Sequence, residues 1–297
     1  MASYKKREPK ESRELITLTS AHAGASKTKK NWTKLKGSFQ TRFPFRKKDN
    51  RPFPLTSMIP NLVTLLGLCA GVSSLRFAFL GIWEFAVVAI FVAAILDTMD
   101  GALARMLSAT SRFGAELDSL SDFATFGISP ALIMYFASLK GYGAFGWVFV
   151  LWFIVCGGLR LARFNTHSIE GTTPTWAKGF FTGVPIPAGA LLSLTPLMIH
   201  LAFPEQHLSL HPAVCAVVMA VSGFLMISHL PTFSVKKIDI APKFLLYIVI
   251  LLVITATALI SYPWHTLSLI MILYVGTFSF SYRAYKKLEA DVLKNEN

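Results

Sequence analysis

Charged side chains make up only 15% of the 297 residues, against about a quarter in an ordinary soluble domain. With 53% hydrophobic residues and a mean hydropathy of +0.52, that shortfall excludes a disordered chain and argues against a soluble enzyme. Cysteine is scarce too. Cys69, Cys156 and Cys215 each lie inside an apolar run and no C-x-x-C occurs, so neither a disulfide framework nor a thiolate metal site is expected. The first 30 residues contain no apolar core, so no cleaved secretory signal is expected and insertion should rely on internal spans. There is no Walker loop, no G-x-S-x-G and no dinucleotide fingerprint. The seven histidines (His22, His167, His200, His207, His211, His229, His265) show no metal-ligand spacing.

What charge there is sits at one end. Residues 1–55 carry 15 Lys/Arg against Glu8, Glu11, Glu14 and Asp49, which accounts for +11 of the net +13. The remainder is nearly neutral and strongly apolar, so the chain reads as a membrane protein with a basic tail rather than a nucleic-acid binder. A stretch of about 18 or more apolar residues can cross the hydrocarbon core as a helix. Eight such stretches occur, at roughly 58–80, 84–105, 118–139, 143–165, 182–203, 212–230, 242–261 and 264–283. Basic residues cluster in the tail, at Arg105/Arg112, at Arg160/Arg163/Lys178, at Lys236/Lys237/Lys243 and at Arg283/Lys286/Lys287, while the opposite connections contain only Lys140. The positive-inside rule then puts both termini and every basic loop in the cytoplasm, which requires an even number of spans. The expected architecture is an all-α polytopic bundle of about eight transmembrane helices in a lipid bilayer. Its expected parts are a basic cytoplasmic tail (1–55), a membrane core (56–230), and two further helices with a short tail (231–297).

Carboxylates inside spans are costly and point to function. Asp97 and Asp100 are spaced i, i+3 near the cytoplasmic end of the second span, and Asp118 and Asp122 i, i+4 where the third begins. Each pair lies on one helical face. Two antiparallel helices joined by a short loop can aim all four at one point, and four like charges near lipid call for a compensating cation. Oxygen-only ligands suit Mg²⁺ or Mn²⁺. Gly101, Ala104 and Gly114 clear space beside the acids, and Arg105 brings a fork suited to phosphate. Acids for metal, small residues for access and an arginine for phosphate together suggest phosphoryl transfer. A cation or proton transporter is the rival reading, but it does not need those small residues and that arginine at fixed offsets.

The run Asp97-Thr98-Met99-Asp100-Gly101-Ala102-Leu103-Ala104-Arg105, eight residues, Gly114, three, Asp118, three, Asp122 reads D-x2-D-G-x2-A-R-x8-G-x3-D-x3-D. It resembles the signature of the CDP-alcohol phosphotransferase family, over roughly 57–230. Eight fixed residues at set spacing arise by chance with a probability on the order of 10⁻¹⁰ per start position. Ile59 to Thr64, Arg160 to Asn165, Gly183 to Ala188, and Asp118-Ser119-Leu120-Ser121-Asp122 with Phe126-Gly127 and Pro130-Ala131 are similar to bacterial members whose acceptor is L-serine. The resemblance implies transfer of the phosphatidyl group from CDP-diacylglycerol to the serine hydroxyl with release of CMP. Relatives that use glycerol 3-phosphate or inositol are the alternatives. It further implies that Asp97, Asp100, Asp118 and Asp122 hold divalent metal, two ions of Mg²⁺ or Mn²⁺, and that Asp122 is also the general base. Asn61, Thr64, Gly101, Arg105 and Ser111 would contact the CDP moiety, and Arg160 and Arg163 are candidates for a phosphate or the serine carboxylate. The same resemblance implies a homodimer in the inner membrane with its active site facing the cytoplasm.

Overall fold

The computed structural model describes residues 58–170, 180–205, 208–228, 231–233 and 245–296, all within the compact unit Pro54–Asn297. The basic tail and Lys178, Lys236, Lys237 and Lys243 lie outside the described residues. Helix α1 (Met58–Phe79) and helix α2 (Trp83–Met106) form an antiparallel hairpin closed by Gly81, whose φ is +73°. The buried face of α1 is Pro60, Thr64, Gly67, Gly71, Ser74 and Ala78. These are small residues three or four apart, so the backbones approach closely, as helices must where lipid offers no hydrophobic drive for association. Arg76 in the last turn of α1 and Glu84 in the first turn of α2 complement the helix dipoles.

Helix α3 (Arg112–Asp122) runs on through a π-helical turn (Phe123–Ile128) into α4 (Ser129–Ala137). The polar start of α3 belongs to the helix, which begins six residues before the expected apolar boundary. Ser111 caps it, accepting from the Gly114 amide at 2.9 Å. Helix α5 (Ala144–Glu170) follows. A short strand β1 (Phe180–Thr182) then leads through Gly183, at φ +80°, into α6 (Ile186–Ser193) and α7 (Thr195–Ala202). The expected fifth span is therefore two helical pieces. Pro196 at the second position of α7 has no amide to continue the ladder, so the helix breaks at Leu194. Helix α8 (Pro212–Ile227), strand β2 (Pro231–Phe233, antiparallel to β1), α9 (Leu245–Ser261) and α10 (Pro263–Glu296) complete the order.

The first, second, third-plus-fourth and fifth helices are long and apolar enough to cross a membrane, and α8, α9 and the first part of α10 are shorter apolar helices. Among the described residues the protein is an all-helical membrane bundle apart from the ribbon of two three-residue strands. Its fully buried side chains concentrate in α4 to α8, including Ile133, Met134, Phe153, Leu194, Leu197 and Met219. This packed end carries Ser138 Oγ donating to the Leu210 carbonyl at 2.7 Å and the Phe79–Phe136 ring contact at 4.5 Å. The polar clusters lie at the other end.

Candidate active site

Four helices meet at that other end. Thr64 Oγ1 on α1 donates to Asp100 Oδ2 on α2 at 2.7 Å, and Ser121 Oγ on α3 donates to the Thr64 carbonyl at 3.3 Å. These bonds bring Asp97 and Asp100 across from Asp118 and Asp122. One carboxylate oxygen each from Asp97, Asp100 and Asp118 lie within 4.8 Å of one another. Asp122 stands outside that trio, with its carboxyl group in hydrogen-bonding reach of Asp97. Asp100 is 5% exposed and lines the first cavity, with its Oδ2 taken by Thr64.

The carboxylates divide three adjoining spaces. A gap of about 10 Å³, room for roughly one water-sized body, is walled by all four aspartates with Thr64, Gly67, Ser121 and Thr125. On one side a cavity of about 200 Å³ is lined by Asn61, Thr64, Asp100, Gly101, Arg105, Ser111, Gly114 and Asp118. Every residue expected to contact the nucleotide is therefore in one place. On the other side a cavity of about 320 Å³ is lined by Asp97, Asp118, Ser119, Asp122, Arg160, Phe164, Pro185 and Pro187. Asp118 borders all three spaces, Asp100 borders the gap and the first cavity, and Asp97 and Asp122 border the gap and the second.

The two motif glycines lack a side chain for different reasons. A Cβ on Gly114 would stand 2.8 Å from Asn61 Oδ1, so the protein itself fills that space. A Cβ on Gly101 would meet only Arg105 Nη1, at an ordinary 3.5 Å. The space beside Gly101 is thus open to the first cavity. The loop between α2 and α3 is held by a Schellman turn, in which the Ala109 amide donates to the Ala104 carbonyl at 2.9 Å and the Ser108 amide to the Arg105 carbonyl at 3.2 Å. Ser108 takes the left-handed position at φ +49°. That turn places Ala109, Thr110 and Ser111 on the cavity wall.

The two arginines part ways. Arg160 lines the second cavity; its Nε donates to the Val184 carbonyl at 2.8 Å, and its guanidinium lies 5.8 Å from the centre of the Phe164 ring. Its charge acts on Asp122 and Asp97. Arg163 is spent on backbone: Nη1 donates to the Ile227 carbonyl at 2.7 Å, with Met226 and Ser228 also in reach of Nη2. It closes the C-terminus of α8. Gly183 packs on the same carbonyls, where a Cβ would come within 2.8 Å of Met226 O and Ser228 O. Sequence reasoning did not single out Ser119, whose Oγ accepts from Asn165 Nδ2 at 3.1 Å and ties α3 to α5 beside the second cavity. Nor did it single out Thr125; the spacing of Thr125 three residues past Asp122 is the only sign of it in the chain.

Comparison with known proteins gives a consistent picture. Residues 57–227 match the family described as CDP-alcohol phosphatidyltransferase, and 243–277 match a second, CDP-alcohol phosphatidyltransferase 2. The chain is 36% identical over 233 residues to the CDP-diacylglycerol–serine O-phosphatidyltransferase of Mycobacterium bovis, covering 78% of this chain and 80% of that protein. It is 32% identical over 220 residues to the enzyme of that name from Helicobacter pylori (73% and 88% covered), and 30% over 179 residues to that of Bacillus subtilis (60% and 92%).

Proposed function

The chain belongs to the CDP-alcohol phosphatidyltransferase family, and from that premise we infer that it transfers the phosphatidyl group of CDP-diacylglycerol to the hydroxyl of L-serine, releasing CMP. The observation that carries this reading is the row of three spaces with carboxylates between them. A direct transfer needs donor and acceptor to reach one set of charges from two sides.

Members of the family normally use divalent metal, and the residues fit it: three carboxylate oxygens within 4.8 Å offer an all-oxygen donor set. Asp97, Asp100 and Asp118 would hold the metal with Asp122 beside them, as two ions of Mg²⁺ or Mn²⁺. Bound there, the metal supplies neutralisation of the pyrophosphate and of charge on the departing CMP. Asn61, Thr64, Gly101 and Ser111 seat the CDP moiety, and Arg105, whose guanidinium makes no hydrogen bond to protein among the described residues, offers its fork to phosphate. Arg160 holds the serine carboxylate in the second cavity, with Arg163 fixing the turn behind it. Asp122 borders the acceptor side and not the nucleotide side, which suits it to take the proton from the serine hydroxyl. That oxygen bonds to the phosphorus bearing diacylglycerol as the phosphorus bond to the CMP oxygen breaks, and no covalent enzyme intermediate is required.

The membrane core is assigned to 56–230, flanked by the tail at 1–55 and the added helices of 231–297. We further infer that the protein sits in the inner membrane as a homodimer, with both termini and the site on the cytoplasmic side. The deciding experiment supplies purified protein with labelled CDP-diacylglycerol and serine, glycerol 3-phosphate or inositol in turn, with and without EDTA. Product with serine alone, abolished by EDTA, is expected. Product with another alcohol, or full activity in EDTA, would refute the reading.

A further inference from the structure

We propose that Thr125 is a positioning residue of the metal site, its hydroxyl holding one water molecule in the gap and orienting the carboxylates through it. The inference rests on the metal-dependent reading above. Thr125 is 1% exposed, and its Oγ1 has no hydrogen-bond partner among the described residues. Leaving a buried hydroxyl unpaired is costly, so such a group calls for an explanation.

The local backbone explains why it has no partner of its own. Thr98, Thr166, Thr255 and Thr257 each donate to the carbonyl four residues back in their helix, and Thr195 and Thr266 do the same at helix starts. Thr125 lies in the π-helical turn Phe123–Ile128, where the ladder is widened by one residue. Ser129, at the end of that turn, reaches back five residues to the Ala124 carbonyl instead. Such turns recur at functional sites. The widening frees the hydroxyl from its helix and leaves Thr125 walling the gap together with Asp97, Asp100, Asp118 and Asp122. Across from it, α1 has Gly71, where a Cβ would overlap Oγ1, Cγ2 and Cβ of Thr125. The neighbouring helix is therefore hollowed to seat this one side chain.

The gap has the volume of one water, and four carboxylates stand on its wall as acceptors, while the Thr64 and Ser121 hydroxyls there already donate to Asp100 and to the Thr64 carbonyl. A water there accepts from Thr125 Oγ1 and donates its two protons to carboxylate oxygens. That gives the three bonds typical of a buried water and satisfies the hydroxyl. It also fixes the spacing of the acids before metal arrives, the part that outer-shell hydrogen bonds play in metal sites generally.

The test measures Mn²⁺ affinity of the purified full chain by the electron paramagnetic resonance signal of free Mn²⁺, for wild type, Thr125→Val, Thr125→Ser and Asp97→Asn. Valine has the shape of threonine, so helix content and metal-free thermal midpoint should hold or rise. Thr125→Val is expected to bind Mn²⁺ about 10-fold more weakly, with a parallel rise in the metal concentration for half-maximal turnover. Thr125→Ser should stay within about 3-fold of wild type. Wild-type affinity in Thr125→Val, beside a clear loss in Asp97→Asn, overturns this proposal and leaves the metal site standing. Absence of Mn²⁺ binding in the wild type overturns both.

Discussion

Asp122 and Gly101 are the residues at which the chemistry is most exposed to test. Asp122→Asn keeps the shape of the side chain but removes its basic oxygen. Turnover is expected to fall at least ~10²-fold, while CDP-diacylglycerol affinity, read by competition with a labelled nucleotide, falls far less. Gly101→Ala places a methyl where only Arg105 Nη1 stands near, at 3.5 Å. The variant should keep its thermal midpoint and raise KM for CDP-diacylglycerol several-fold. Gly114→Ala should instead lower the midpoint as well, because its methyl displaces Asn61. The acids were legible in the chain because i, i+3 and i, i+4 spacing states a shared face outright. Thr125 was not, because its exposure to the gap depends on a widened turn that no 3.6-residue periodicity anticipates.

The joints between helices carry the second group of expectations. The Arg160 to Asn165 and Gly183 to Ala188 stretches prove to be two halves of one contact. Arg160 binds the Val184 carbonyl, the Val184 amide donates to the Leu225 carbonyl at 3.2 Å, and Arg163 closes the end of α8. Arg163→Ala leaves those carbonyls without their charged donor, at a cost of about 2 kcal/mol. A lower thermal midpoint with a weakened KM for serine is expected, and KM for CDP-diacylglycerol should hold. This joint was invisible beforehand, since the carbonyls bonded by Arg163 lie more than sixty residues away. Apolar length gave the helices themselves, including the α1–α2 hairpin. It missed the polar opening of α3, where Ser111 supplies the cap, and the break before Pro196.

Taken whole, the bundle has two unlike ends. The end with Arg105, Arg112, Arg160 and Arg163 holds the site; the other is closed by aromatic contacts such as Tyr135–Trp147, with ring centres 5.2 Å apart. Among the described residues the closed end carries Lys140 and also Arg76, in the last turn of α1. The charge bias toward the site end remains, so the cytoplasmic orientation is expected. In a cysteine-free background, a cysteine at position 207 should react with an impermeant reagent in intact cells. One at position 237 should react only after permeabilisation, and the reverse pattern would invert the orientation.

The small gap between the two cavities has a kinetic meaning as well. The two chambers share only Asp118 in their walls, so under the proposed assignment each substrate has its own seat and neither must leave before the other enters. Initial-rate plots should intersect rather than run parallel. CMP should compete with CDP-diacylglycerol but not with serine, so saturating the enzyme with serine would leave CMP inhibition in place.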